Sequence, residues 1–157
     1  MKKGTTGEHD TLAWKWQTGA ATTTADLGDP LTGIGYQLCV YDETAGTATK
    51  VLGASAPAAG SCHGRPCWRG ATGRFAYADR DLTPGGIAKL DLRAGGDGSA
   101  RISVKGKGLN LALPGLPLVQ DPEVVVQLVN ALGVCWEARF PAPALANDGI
   151  RFKAVGD

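Results

Sequence analysis

Alternation with a period of two runs through most of this chain. Leu12, Trp14 and Trp16 alternate with Ala13, Lys15 and Gln17, which turns one face of a β-strand toward a core and the other toward water. Ala88, Leu90 and Leu92 alternate with Lys89, Asp91 and Arg93. After Gly95-Gly96-Asp97-Gly98, Ile102 and Val104 alternate with Arg101, Ser103 and Lys105. That is a hairpin with a solvated outer face. A second hairpin is predicted from Glu123 to Val129 and Val134 to Phe140, turning at residues 130–133. Tyr36 to Tyr41 is apolar on both faces, as a central strand would be. Thr49 to Ala56, Trp68 to Ala71, Phe75 to Ala78 and Ile150 to Ala154 add shorter strands.

Residues 1–10 carry no such periodicity and read as a flexible lead, with one domain over 11–157. Residues 18–34 form a long connection around Gly28-Asp29-Pro30, and 109–122 an extended segment with several prolines. About eight to ten strands with short turns point to a single antiparallel β-sandwich, Ig-like or jelly-roll-like, with a closed barrel as the alternative. Strands with one apolar face need a second layer to cover them, which favours the sandwich.

Composition agrees with this pattern. The chain has 23 glycines, 9 prolines and 1 methionine, a poor stock for long helices. No stretch reaches about 18 apolar residues, so no membrane insertion is expected. Sixteen Lys and Arg against 15 Asp and Glu leave a net charge of +1. That balance argues against nucleic acid, and because the basic residues alternate along strands, they are expected not to gather into a patch. A neutral surface would suit uncharged ligands or packing against its own kind.

Four cysteines, Cys39, Cys62, Cys67 and Cys135, favour two disulfides and an oxidising, extracellular compartment. Three pairings are open. Cys62 with Cys67 closes a turn containing Gly64 and Pro66, and Cys39 with Cys135 would join two strand-like segments. The chain-entropy relation assigns them roughly 2 and roughly 4–5 kcal/mol. No apolar signal-peptide core follows Met1-Lys2-Lys3, which reads as a mature or recombinant start and leaves the cysteines as the residue-level argument for secretion.

Candidate chemistry is sparse. His63 reads as an exposed loop histidine, and Ser55 lacks the surroundings of a nucleophile elbow. Glu137 reads as a solvent-facing acid opposite a Lys or Arg, and the cysteine spacing is poor for zinc. No catalytic residue, cofactor or metal site is therefore assigned. Trp14, Trp16 and Trp136 share strand faces with apolar neighbours and are expected to be buried. Trp68, beside Arg69 at a loop margin, is the tryptophan expected to be exposed, and the two form the candidate ligand-binding pair for a sugar.

Four blocks, Cys62 to Trp68 (CHGRPCW), Arg74 to Asp81 (RFAYADRD), Gly106 to Pro114 (GKGLNLALP) and Cys135 to Phe140 (CWEARF), resemble modules in predicted secreted proteins of environmental bacteria. The resemblance implies an extracellular β-domain and carries over no catalytic residue. The expected function is a non-catalytic secreted β-sandwich with a structural or binding role. Its alternatives are a carbohydrate-binding module, a subunit of an extracellular filament or shell self-associating through sheet edges, and a small hydrolase with a carboxylate pair.

Overall fold

In a computed structural model, which describes residues 1–156, the chain folds into two facing antiparallel sheets. The first is a five-stranded sheet made of β1 (Thr11–Gly19), β6 (Trp68–Ala71), β7 (Arg74–Ala78), β8 (Ile87–Arg93) and β9 (Ala100–Lys107), in the order β1-β9-β8-β7-β6. The second holds β2 (Tyr36–Thr44), β3 (Thr47–Ala56), β10 (Glu123–Asn130) and β11 (Cys135–Pro141), in the order β11-β10-β2-β3. Two small hairpins, β4 (Ser61–Cys62) with β5 (Arg65–Pro66) and β12 (Ala146–Asn147) with β13 (Phe152–Lys153), flank them. Neither large sheet closes into a barrel. Among the described residues no helix is long and apolar enough to cross a membrane.

The period-two pattern fills the core as expected. Leu12 and Trp14, Ile102 and Val104, Leu90 and Leu92, and Phe75 and Tyr77 come from the five-stranded sheet. They meet Tyr36, Leu38, Val40, Leu52, Val124, Val126, Leu128 and Trp136 of the other. Four aromatic rings tie the layers together. Trp68 lies 5.5 Å from Tyr36 and 5.1 Å from Tyr77, and Tyr36 lies 6.3 Å from Trp136, centroid to centroid. At such distances aromatic pairs add to their burial energy.

The connection over residues 18–34 contains one helical turn, α1 (Thr24–Leu27), closed by a reciprocal capping box between Thr23 and Asp26. Tyr36 OH donates to the Leu27 carbonyl, and Asn130 Nδ2 donates to the Asp26 carbonyl at 2.8 Å, fixing this turn to the core. The proline-rich segment is anchored by a buried acid: Asp42 accepts from the N–H groups of Val119 and Gln120, both at 2.8 Å.

Two expectations change. Residues 1–10 do not run free of the domain: Lys2 bridges to Thr11 on one side and Arg151 on the other, and a 3-10 turn spans Gly7–His9. Cys39 and Cys135 are free thiols, leaving Cys62–Cys67 as the disulfide. Cys39 pairs across β2 with Gln127 of β10, which pairs in turn with Glu137 of β11, two residues from Cys135. Two strand spacings, about 10 Å, separate the cysteines, beyond the roughly 7 Å that a disulfide spans. Thiol titration of the native protein should find two reactive groups at most. Cys135 is expected to react first and the buried Cys39 only on unfolding, while a third native thiol would exclude the bridge.

Candidate functional site

The outer face of the five-stranded sheet is set by the residues that alternate with its core. Leu12 and Trp14 point inward, so Thr11, Ala13 and Lys15 point outward, and the same parity holds on β6, β7, β8 and β9. The registers then align like charges. Arg101 of β9 stands opposite Arg93 of β8, which stands opposite Arg74 of β7, and Lys105 stands opposite Lys89. Lys15 and Arg69 extend the set to the two edge strands.

With Lys107, opposite Thr11 at the end of β9, eight exposed cations share this face with a single acid among the described residues, Asp91, whose Oδ2 accepts from Ser103 Oγ at 3.5 Å. None of the eight takes part in an ion pair among the described residues. By contrast, Arg139 on the opposite sheet is paired with both Glu123 and Glu137, and Gln127 Nε2 also donates to Glu137 at 2.7 Å. The expectation that the basic residues would not gather is corrected here. Alternation disperses them along each strand, but pairing in register stacks those positions side by side. Like charges opposite one another cost roughly 0.2–1 kcal/mol per pair.

A cavity of about 1420 Å³ crosses this face. Ala13, Lys105, Lys89, Ala78 and Arg69 line its floor, where the alanines let a flat ligand lie close to the sheet. One wall is the β4–β5 hairpin, which contributes His63, Arg65 and Pro66. His63 and Gly64 both have positive φ, 54° and 75°, giving the two-residue turn that fits a tight hairpin. The disulfide closes the base of that turn, and His63 N–H donates to Asp81 Oδ2 at 2.7 Å, with His63 Nδ1 3.3 Å from Asp81 Oδ1. Past β1 the cavity is rimmed by Lys2, Arg151 and Lys153, and it ends among Leu12, Trp14, Val40, Val126 and Phe140, between the sheets.

Asp79 holds the wall in place from below. Its carboxylate accepts from the N–H groups of Asp81 and Thr83, each at 2.8 Å, and Tyr77 OH lies 3.5 Å away. Burial first, and then the Asp79 charge, push the Tyr77 hydroxyl up to about 12, and burial pushes Tyr36 higher still. Both pKa values are raised on folding, so the stability they contribute is complete below the unfolded value near 10 and is lost as pH rises toward about 12. Chemical denaturation between pH 9 and about 12 should show falling stability, and Tyr77→Phe should flatten part of that fall. An unchanged profile in the variant would remove Tyr77 from the account.

Of the two residues expected to bind a ligand, the structure places one at the site. Arg69 is exposed, pairs in register with Ala76 and lines the cavity. Trp68 is not exposed: it is 2 % accessible, with its indole N–H donating to the Pro57 carbonyl at 2.7 Å. Its loop-margin position misled because β6 begins at Trp68 itself, and the alternation that points Tyr77 and Phe75 inward points Trp68 inward too. Trp14 and Trp136 are buried and Trp16 partly so. Missed altogether were Lys15, Arg74, Lys89, Arg93, Arg101, Lys105 and Lys107.

The catalytic alternatives gain little. His63 is oriented by Asp81, but no hydroxyl or thiol hydrogen-bonds to its ring among the described residues. Nor does any group of three or more metal-ligating side chains converge there. Fold and site together define a β-sandwich domain with one strongly basic, concave face. Comparison with known proteins finds no matching family model, and no curated protein or solved structure with significant similarity.

Proposed function

We propose that this chain is a non-catalytic binding domain of an extracellular protein, and that its five-stranded sheet holds an anionic glycan bearing sulfate or carboxylate groups. The row Arg74–Arg93–Arg101, with the Lys89–Lys105 pair four residues along the same strands and the Asp91–Ser103 pair between them, carries this reading. A stacked set of unpaired cations on an exposed sheet works against folding unless an anion relieves it. Arg and Lys suit sulfate and carboxylate, Arg by its planar fork of donors. Nucleic acid is disfavoured because the face carries Ala13, Ala76, Ala78 and Ser103 between its cations and no aromatic ring on which a base could stack. The disulfide that fixes the cavity wall supports an oxidising compartment.

Titration by fluorescence anisotropy tests the reading. Labelled dextran sulfate should bind and neutral dextran should not. With about six charges neutralised, affinity should fall roughly a thousandfold between 50 and 200 mM salt, by analogy with other polyanions. Equal or tighter binding of duplex DNA would transfer the face to nucleic acid, and no binding of either polyanion would remove the reading.

The wall gives a further expected outcome. Replacing Cys62 and Cys67 by serine should cost about 2 kcal/mol of stability and weaken dextran sulfate binding only modestly, because the floor cations lie on the sheet. A loss of binding as large as that from changing the floor would place the ligand under the hairpin instead.

A further inference from the structure

The four tryptophans divide three to one. Trp16 donates its indole N–H to the Glu137 carbonyl at 3.0 Å, Trp68 to the Pro57 carbonyl at 2.7 Å and Trp136 to Thr22 Oγ1 at 3.1 Å. Trp14, only 5 % exposed, has a buried Nε1 with no acceptor among the described residues. Such groups are rare because leaving a buried donor unpaired forfeits its hydration without replacement. Trp14 lines the inter-sheet end of the cavity together with Leu12, Val40, Val126, Phe140, Phe152 and, at its margin, Met1.

The cavity thus joins two environments. Its outer part carries Arg69, Lys89 and Lys105 beside Ala13 and Ala78, and its inner part is an apolar slot with one orphan donor, with Lys2, Arg151 and Lys153 on its rim. A ligand that fills both has anionic groups at one end, an apolar chain at the other and an uncharged oxygen acceptor on that chain.

We propose that the ligand is an anionic glycolipid. Its charged sugars lie on the five-stranded sheet, one acyl chain enters the slot between β1 and β11, and the ester or amide carbonyl of that chain accepts from the Trp14 indole N–H. This rests on the reading of the basic face as an anionic-glycan site.

Three polymers separate the two readings: dextran sulfate, the same polymer carrying sparse palmitoyl esters, and the same polymer carrying hexadecyl ethers, which lack the carbonyl. The palmitoyl polymer should bind at least about tenfold tighter than the bare one and about three- to tenfold tighter than the ether. It should also move one tryptophan indole N–H resonance, assigned to Trp14, that bare dextran sulfate leaves in place. Trp14→Phe should erase the ester–ether difference while keeping the affinity for bare dextran sulfate. Because that variant could fail to fold, the indole resonance in the unmodified protein is the primary readout. Equal affinity of bare and palmitoylated polymer, or an unmoved Trp14 resonance, overturns the glycolipid and leaves the basic face intact. Failure of all three polymers to bind overturns the basic face, and the glycolipid with it.

Discussion

Replacing Arg74, Arg93 and Arg101 together by serine is expected to weaken dextran sulfate binding about a hundredfold and to raise the melting temperature by a few degrees. Binding and stability should move in opposite directions, because the same three side chains serve one and oppose the other. Each Lys or Arg held near an anionic surface contributes roughly 1 kcal/mol, so three amount to about 3 kcal/mol, or two powers of ten in affinity. In the free protein Arg93 faces Arg74 on one side and Arg101 on the other, and relief of two like-charge pairs gives about 1 kcal/mol. For a domain of this size that is a rise of about 2–4 °C, larger at low salt, where screening is weaker. Arg139→Ser on the opposite sheet is the control. That arginine is paired with Glu123 and Glu137, so its loss should leave affinity unchanged and bring no gain in melting temperature. Scanning calorimetry and anisotropy on the same preparations read both quantities. Should the triple variant melt lower, the arginine stems would be packing on their neighbours, and the argument from unrelieved repulsion would fall.

The row was open to the sequence in part. Lys89 and Lys105 lie equally far from Asp97 in the turn, as do Arg93 and Arg101. Once that hairpin is assigned, its register follows, and so does the juxtaposition of like charges. Near-zero net charge obscured it, since the balancing acids lie elsewhere: Glu123 and Glu137 on the other sheet, Asp42 and Asp79 in the interior. The two layers were legible because each strand's alternation fixes which residues need cover. The order of strands within a layer was not, and the disulfide expectation failed there. Cys39 and Cys135 do share the outer face of one sheet, but the β10–β11 hairpin docks through β10, which puts a whole strand between them. A sign of this was present in Val124, Val125 and Val126, a run apolar on both faces as an interior strand requires. Beside it, the Glu137 and Arg139 positions of β11 mark an edge. The Trp14 slot had no sequence signal, because an orphan donor is a property of three-dimensional packing.

Trp68→Ala should cost about 4 kcal/mol of folding stability, a large share of the roughly 5–15 kcal/mol available to a domain. It should leave the affinity for dextran sulfate unchanged at any temperature where the variant stays folded. The ring fills the space between Tyr36 and Tyr77, one from each sheet, so its removal opens a cavity across the sandwich. Trp68→Phe keeps most of that volume and loses the hydrogen bond to the Pro57 carbonyl, a loss of about 1–2 kcal/mol. Arg69→Ala, one residue on, should behave in the opposite way. Its side chain is exposed over Ala76, so stability should change by less than about 0.5 kcal/mol while affinity falls about fivefold, in line with one surface cation. The pair is a test of parity on a strand. Adjacent residues address opposite faces of a sheet, so a function assigned to the exposed surface has to separate Arg69 from Trp68. If Trp68→Phe instead weakened binding without loss of stability, a tryptophan reaching the ligand would replace the basic face as the basis of recognition.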